Sequence, residues 1–243
     1  MSALLALGDC REIMPYHGPF DCIIADPPYG ETSLRWDRIV SGWEAVALRC
    51  LKPTGSMWVF GSMKYFLRTG VPGGFRLAQD VVWEKHNGSG FQADRFKRVH
   101  EFALQFWRAD SPWRGVWNEV QTTPDAVART VRRKRRPPHT GNVAASAYVS
   151  VDGGPRIRRS VIPMRSMHGS AIHPTEKPAD LIEILIRTSC PPGGLVGDFF
   201  AGSEAAGIAA LAAGRRYVGV EIDPIMAGLA RARLAAAMGA ERA

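Results

Sequence analysis

Asp26-Pro27-Pro28-Tyr29 directly follows the short apolar run Cys22-Ile23-Ile24-Ala25. An apolar run stopped by two prolines reads as a buried strand ending in a stiff loop. Proline offers no backbone donor and biases the residue before it to extended geometry. The loop therefore holds a carboxylate, the carbonyls beside the prolines and an aromatic ring in fixed relation. That set suits gripping a planar ring with an exocyclic amine. The carboxylate and a carbonyl accept the two N–H bonds, and the Tyr29 ring stacks on the face.

A second constellation is Asp198-Phe199-Phe200-Ala201-Gly202-Ser203. An acid at a strand end followed by a small-residue turn into a helix is how doubly wound folds bring backbone close to a cofactor. Glu221 lies at the end of the next strand, where an acid typically binds ribose hydroxyls. The turn lacks a full G-x-G-x-x-G pattern, so a nicotinamide dinucleotide fits poorly. A third is His173-Pro174-Thr175-Glu176-Lys177-Pro178, where two prolines fix a loop carrying a cation, an acid and a hydroxyl just before a helix. On residue types alone, that loop reads equally well as an ordinary helix start.

The elements that must carry these residues alternate between strand and helix. Leu4 to Leu7, Asp21 to Ala25, Ser56 to Phe60, Leu77 to Trp83 and Phe102 to Trp107 read as strands. Ile39 to Leu51 has helical spacing and stops at Lys52-Pro53-Thr54-Gly55. After His173 come a helix over Asp180 to Cys190, a strand over Leu195 to Phe199, an alanine-rich helix over Glu204 to Ala213 closed by Gly214, and a strand over Tyr217 to Ile222. Asp223-Pro224 opens a last helix, with Asp as N-cap and Pro in the first turn. This alternation predicts an α/β fold with a doubly wound, mostly parallel sheet covered on both faces.

Trp113 to Arg165 breaks the pattern. It holds eleven basic residues against three acidic ones, which equals the net charge of +8 of the whole 243-residue chain. A neutral body with one basic segment points to a localised polyanion contact. The segment is expected to be an insert with little regular structure, in which Trp113 and Trp117 pack rather than wedge. The expected organisation is residues 1–112, the insert 113–165, and residues 166–243 completing the first part's core. No apolar stretch approaches the length of a spanning helix, and the N-terminus does not read as a signal peptide. Cys10, Cys22, Cys50 and Cys190 lack C-x-x-C spacing and are expected to be free thiols in a reducing cytoplasm. No metal site is expected.

Together, Asp26 to Tyr29, His173 to Pro178 and Asp198 to Ser203 resemble the amino-group DNA methyltransferases that use S-adenosylmethionine. Gly8-Asp9-Cys10, Leu51-Lys52-Pro53 with Gly55-Ser56, and Arg98 with His100-Glu101 extend the resemblance to most of the chain outside the basic segment. The order of catalytic loop, basic segment and cofactor turn is similar to the β class of this family, with target recognition between the two halves. The resemblance implies a Rossmann-like methyltransferase core, a homodimer, double-stranded DNA as substrate, and N6-adenine as the target. It assigns catalysis to Asp26, Pro27, Pro28 and Tyr29. It assigns the cofactor to Asp9, Cys10, Asp26, Thr175, Glu176, Lys177, Asp198, Phe200, Ala201, Gly202, Ser203 and Glu221. DNA contacts are expected from Arg132, Arg133, Lys134, Arg135, Arg136, Arg158 and Arg159. Two positions depart from the family's cofactor turn: Phe199 stands for a proline, and Glu204 stands for its last glycine.

Three alternatives compete with this reading. N4-cytosine methylation uses a similar loop, more often with Ser where Asp26 stands. Protein or RNA amine methylation uses a related Asn-Pro-Pro-Tyr loop, usually with the cofactor turn first. A non-catalytic DNA-binding regulator would retain the fold.

Overall fold

The computed structural model of the chain describes residues 2–89, 93–132, 147–167 and 175–240. They divide into two compact units, Met1–Glu119 with Ser160–Ala243, and Val120–Arg159.

The first unit is built on an eight-stranded sheet. In chain order its strands are β1 (Ala3–Leu7), β2 (Phe20–Ala25), β3 (Leu51–Gly61), β4 (Phe75–Ser89), β5 (Arg98–Arg108), β10 (Val161–Pro163), β11 (Leu195–Asp198) and β12 (Arg216–Glu221). Their spatial order is β1-β12-β11-β2-β3-β5-β4-β10. Only the pairings of β5, with β3 and with β4, are antiparallel; the rest are parallel. The helices are α1 (Cys10–Ile13), α2 (Trp43–Cys50), α3 (Met63–Thr69), α4 (Ala179–Ser189), α5 (Ala205–Ala212) and α6 (Pro224–Ala240).

Every residue of β2 is buried, as a central strand covered on both faces requires. Its side chains alternate between two cores. Cys22 and Ile24 join Trp58, Phe60, Leu181, Leu185 and Tyr217 on one face. Ile23 and Ala25 join Met14, Trp43, Met57, Phe106 and Phe199 on the other. The amphipathic face of α4, with Leu181, Ile182, Leu185 and Ile186 buried, closes the first core.

The boundaries differ from the periodicity in instructive places. Helix α2 starts at Trp43 rather than Ile39, because Gly42 stands in the left-handed region with φ 84° and breaks the pattern. Strand β3 begins at Leu51, so Lys52 to Gly55 belong to it. The reason is close approach: a Cβ on Gly55 would meet the Asp21 carbonyl at 2.6 Å, beside an irregularity in the β2–β3 register. Helix α5 starts one residue after Glu204, which itself adopts φ 70°, ψ 21°.

Trp113 to Glu119 and Ser160 to Arg165, expected within the basic insert, belong to the first unit. The second unit, expected to have little regular structure, holds two short antiparallel pairs. They are β6 (Thr122–Thr123) with β9 (Arg156–Ile157), and β7 (Arg129–Arg132) with β8 (Ala147–Ser150). Val127, Tyr148, Val149, Val151 and Ile157 are exposed, and Ala126 is buried. Asp125 pairs with Arg156 at 3.2 Å, and Asp152 accepts from the Ala128 amide at 2.6 Å.

Candidate active site

In this sheet order the chain runs outward from β11 to β12 on one side and from β2 to β3 on the other. The crevice between the C-terminal ends of β11 and β2 is thus a topological switch point, where open α/β sheets bind ligands. Asp198 ends β11 and Asp26 directly follows β2. The two strands are in register, with Asp198 opposite Ile24. Glu221 ends β12 and lies opposite Leu7 of β1, which brings Gly8-Asp9 to the same edge. Four acids from four distant stretches of sequence therefore line one edge.

The catalytic-loop candidate is held from several sides. The Asp26 Oδ1 accepts from the Tyr29 hydroxyl at 2.7 Å, and Oδ2 accepts from the Lys177 ammonium at 2.6 Å. Burial first, and then the Asp26 charge, hold the Tyr29 phenol well above its ordinary value, so it donates as a neutral hydroxyl. Its ring packs against Tyr65, centroids 5.3 Å apart. The chain beyond is tied down by Asp37, whose carboxylate accepts from the amides of Gly30, Glu31 and Thr32 at 2.7, 2.9 and 2.6 Å. Burial opposes the Asp37 charge, but these bonds and the Thr32 hydroxyl outweigh it and keep the carboxyl below its usual range. Glu31 in turn accepts from the Ser62 hydroxyl and pairs with Arg98 at 3.2 Å.

Behind Asp26 lies a line of alternating charge. The Lys177 ammonium is 3.4 Å from Glu101 Oε2, and the other Glu101 oxygen pairs with Lys85. Burial alone would raise the Glu101 carboxyl, but Lys177 and Lys85 bring it down to about 2. Burial likewise opposes the Lys177 charge, and Asp26 and Glu101 more than offset it. The sequence expectation set Lys177 against the cofactor; its ammonium donates to Asp26. Lys85 and Asp37 carried no recognisable signal. Lys85 is one polar residue in a strand and Asp37 one acid in a polar loop.

The cofactor-turn candidate is organised by backbone bonds. The Glu221 Oε2 accepts from the Gly202 amide and Oε1 from the Asp223 amide, both at 2.8 Å. Gly202 takes φ 50°, and a Cβ there would meet only the Phe200 carbonyl, at 3.9 Å. Asp198 accepts from the Phe200 amide at 3.0 Å and the Tyr217 hydroxyl at 3.3 Å; burial still raises its carboxyl to about 7. Glu204, expected in the first turn of α5, is fully buried instead, and among the described residues neither carboxyl oxygen has a hydrogen-bond partner. Burial, reinforced by Asp198, raises it to about 9.

Arg233 of α6 links this turn to the third motif. It donates to Glu176 Oε1 at 2.7 Å and to the Ser203 carbonyl at 2.9 Å. Thr175, Glu176 and Lys177 thus stand beside the turn, whereas His173 and Pro174 lie outside the described residues. Asp9 caps α1 and pairs with Arg11 at 2.5 Å. Cys10 is buried, and burial pushes its thiol up to about 12. Among the described residues no cluster of three or more metal-binding side chains occurs, and no helix is long and apolar enough to cross a membrane. Of the expected DNA contacts, Arg132 and Arg159 are exposed and Arg158 is half-buried in the second unit. Arg133, Lys134, Arg135 and Arg136 lie outside the described residues.

A family model for DNA methylases acting at N6 or N4 amines matches residues 20–231, most of the chain. The chain belongs to this DNA methylase family. Among curated proteins it is similar to the DNA adenine methyltransferase YhdJ of Escherichia coli K12. The two are 28% identical over 244 residues, which span 91% of this chain and 79% of that one. Among solved structures, the M1.HpyAVI–SAM complex is 23% identical with a TM-score of 0.64, covering 96% of this methylase and 100% of that chain. PvuII DNA methyltransferase, named as cytosine-N4-specific, is 17% identical with a TM-score of 0.61, covering 96% and 86%. At these identities the two structures establish that the methylase shares their fold.

Proposed function

We propose that this DNA methylase transfers the methyl group of S-adenosylmethionine to the N6 amine of an adenine flipped out of duplex DNA. The observation that carries the reading is the Asp26-Pro27-Pro28-Tyr29 loop at the switch point, beside Asp198 and Glu221. Adenine is favoured by the acid at position 26 and by the likeness to a protein named DNA adenine methyltransferase.

The residues present fit the cofactor. Each Glu221 oxygen accepts one backbone N–H and keeps a lone pair, which suits a ribose diol. Gly202 leaves open space where a side chain would stand, and half-buried Phe200 offers an apolar face. We assign Asp9, Cys10, Thr175, Glu176, Asp198, Ala201 and Ser203 to the remainder of that site, as the family resemblance implies. When bound, S-adenosylmethionine supplies an electrophilic methyl group.

The chain's own residues prepare the amine. A base inside a duplex must leave the stack to reach such a loop. Tyr29 stacks on the flipped ring, and Asp26 with the Pro27 carbonyl accepts the two amine protons. These bonds aim the nitrogen lone pair, and positioning supplies much of the rate. The Asp26 carboxylate stabilises positive charge developing on the nitrogen, which then loses a proton to give the methylated amine. No covalent intermediate on the enzyme is required, in keeping with four buried cysteines.

The basic unit, with Arg132, Arg158 and Arg159 and with Arg133 to Arg136 in sequence, is assigned to DNA contact. Phosphate contacts dominate affinity there, and a few base contacts specify sequence. The β-class resemblance supports a homodimer, which sedimentation would test. The deciding experiment is nucleoside analysis of duplex DNA incubated with the enzyme and S-adenosylmethionine. N6-methyladenine is expected. N4-methylcytosine alone would establish the cytosine reading, and cofactor binding without transfer to any duplex would establish the non-catalytic one.

A further inference from the structure

We propose that Lys177, backed by Glu101 and Lys85, is a positioning residue that holds the Asp26 carboxylate aimed and charged for the incoming amine. The proposal rests on the amine-methylating reading of Asp26 and adds three residues to it. Lys177 comes from the loop before α4, Glu101 from β5 and Lys85 from β4, so three separate elements form a chain of contacts that ends on the Asp26 carboxylate.

Lys177 is held from several sides. Its side chain is 5% exposed, so water contributes little. The ammonium donates to Asp26 Oδ2 at 2.6 Å and to the Thr175 carbonyl at 3.3 Å, and it pairs as an ion with Glu101 Oε2 at 3.4 Å, without a hydrogen bond to that oxygen. It also sits 5.5 Å from the ring centroids of both Tyr29 and Phe60. At the far end, the Lys85 ammonium lies 4.5 Å over the Trp83 ring. Two cations alternate with two carboxylates, so the line carries no net charge.

Each member depends on the next. Without Lys177, Asp26 and Glu101 would face each other as like charges away from water, and one would take up a proton. A protonated Asp26 has an O–H where the amine needs an acceptor. Glu101 holds the Lys177 ammonium from the side away from Asp26 and shares its charge with Asp26. Among the described residues, the other titratable groups facing this carboxylate are Tyr29, Tyr65 of α3 and Asp198 at the end of β11. All three are acids, so Lys177 is the cation among them.

The test titrates Asp26 directly, by carbon NMR of carboxyl-labelled aspartate assigned with Asp26→Asn, in the intact enzyme without substrate. Lys177→Met should raise the midpoint for protonating Asp26 by about one pH unit or more. The double variant Lys177→Met/Glu101→Gln should return it at least halfway, and Lys177→Arg should leave it in place. A merely structural role would not produce that reversal. In parallel, the kcat of Lys177→Met should gain an acid limb moved to higher pH, with little change in KM for S-adenosylmethionine. If Lys177→Met does not fold, Glu101→Gln alone should lower the Asp26 midpoint. An Asp26 titration indifferent to these substitutions overturns the proposal. So does a raised KM with an unchanged pH profile, the result expected of a cofactor contact. Because the titration needs no methyl transfer, an enzyme that methylates no DNA would sink the functional reading while the Asp26 titration still reports the Lys177 contact, so the two failures are distinguishable.

Discussion

Glu101 and Glu204 are both glutamates largely withdrawn from water, and both belong to the unit that carries the active site. Glu101 stands between two ammonium groups and its carboxyl falls to about 2. Glu204 has no hydrogen-bond partner among the described residues and has a neighbouring acid, and its carboxyl climbs to about 9. Burial opposes the charge in both cases; the supply of cations decides the outcome. Around Asp26 the protein maintains paired ions, where an amine must be recognised by a carboxylate. Beneath the cofactor turn it keeps a neutral acid, and Asp198 at about 7 lies between the two extremes. One fold thus runs carboxylates in opposite protonation states a few strands apart.

Removing the anion that the paired end serves is the strongest way to sharpen this contrast. Asp26→Ala should still bind S-adenosylmethionine and DNA but lose about a thousandfold in methyl transfer, roughly 4 kcal/mol of transition-state stabilisation. Single-turnover assays with saturating cofactor would measure it, and near-normal turnover would end the reading of Asp26 as the amine acceptor. Next in size is the loss of Glu101. Glu101→Gln leaves Lys177 and Lys85 short of their anion and should cost about 3 kcal/mol of stability at neutral pH, read by urea unfolding. The pH dependence has a definite sign. A carboxyl lowered by folding contributes stability that is present above 4.5 and lost as pH falls toward about 2. The wild type should therefore weaken over that acid window, and Glu101→Gln should weaken less.

Glu204 should do the reverse. A carboxyl raised by folding contributes stability that is complete below 4.5 and lost as pH rises through about 9. Between those values the folded state holds a proton that the unfolded state has released. Glu204→Gln should therefore flatten the alkaline decline in stability by up to about 1.4 kcal/mol per pH unit. Melting curves at pH 6 and 8.5 suffice. Parallel declines in the two proteins would mean that Glu204 is charged, and the contrast with Glu101 would fail.

Much of the paired end was legible in the sequence. The proline pair after an apolar run fixes a strand and a loop within the eight residues Cys22 to Tyr29, and Asp26 can then be placed without knowing what surrounds it. That an acid at a strand end would approach a cofactor was legible too, but which strand ends flank the crevice depends on the sheet order β12-β11-β2-β3, which alternation alone does not determine. The partners of Asp26 were not legible. Lys177, Glu101 and Lys85 lie on the loop before α4, on β5 and on β4, and their meeting depends on β5 running antiparallel between β3 and β4. No local pattern encodes that pairing. Glu204 was legible as a residue out of place, but its direction was not. A helix first turn normally faces an acid to water, and only the left-handed backbone at Glu204 turns it inward. The latch from Arg233 to Glu176 and Ser203 links positions thirty or more residues apart and left no trace in periodicity.

The smallest predicted effect probes whether the unpaired acid matters to the cofactor at all. Glu204 is the single described non-glycine residue with positive φ, a conformation that costs an ordinary side chain about 1 kcal/mol. Its carboxyl points under α5, where a Cβ on Gly207 would meet Oε1 at 2.2 Å, and Gly207 is therefore the position that makes room for it. Glu204→Gly relieves the backbone and removes a buried acid, so the fold should be retained and its melting temperature held or raised. The same change frees the turn that begins at Ala201, whose carbonyl accepts the residue 204 amide at 2.8 Å. The Gly202 amide, fixed by Glu221, sits inside that turn. Extra backbone freedom must be lost again on binding, so affinity for S-adenosylmethionine should fall about threefold, under 1 kcal/mol. Titration calorimetry resolves that difference. Unchanged affinity would remove Glu204 from the cofactor site and leave its neutral carboxyl as a feature of the core alone.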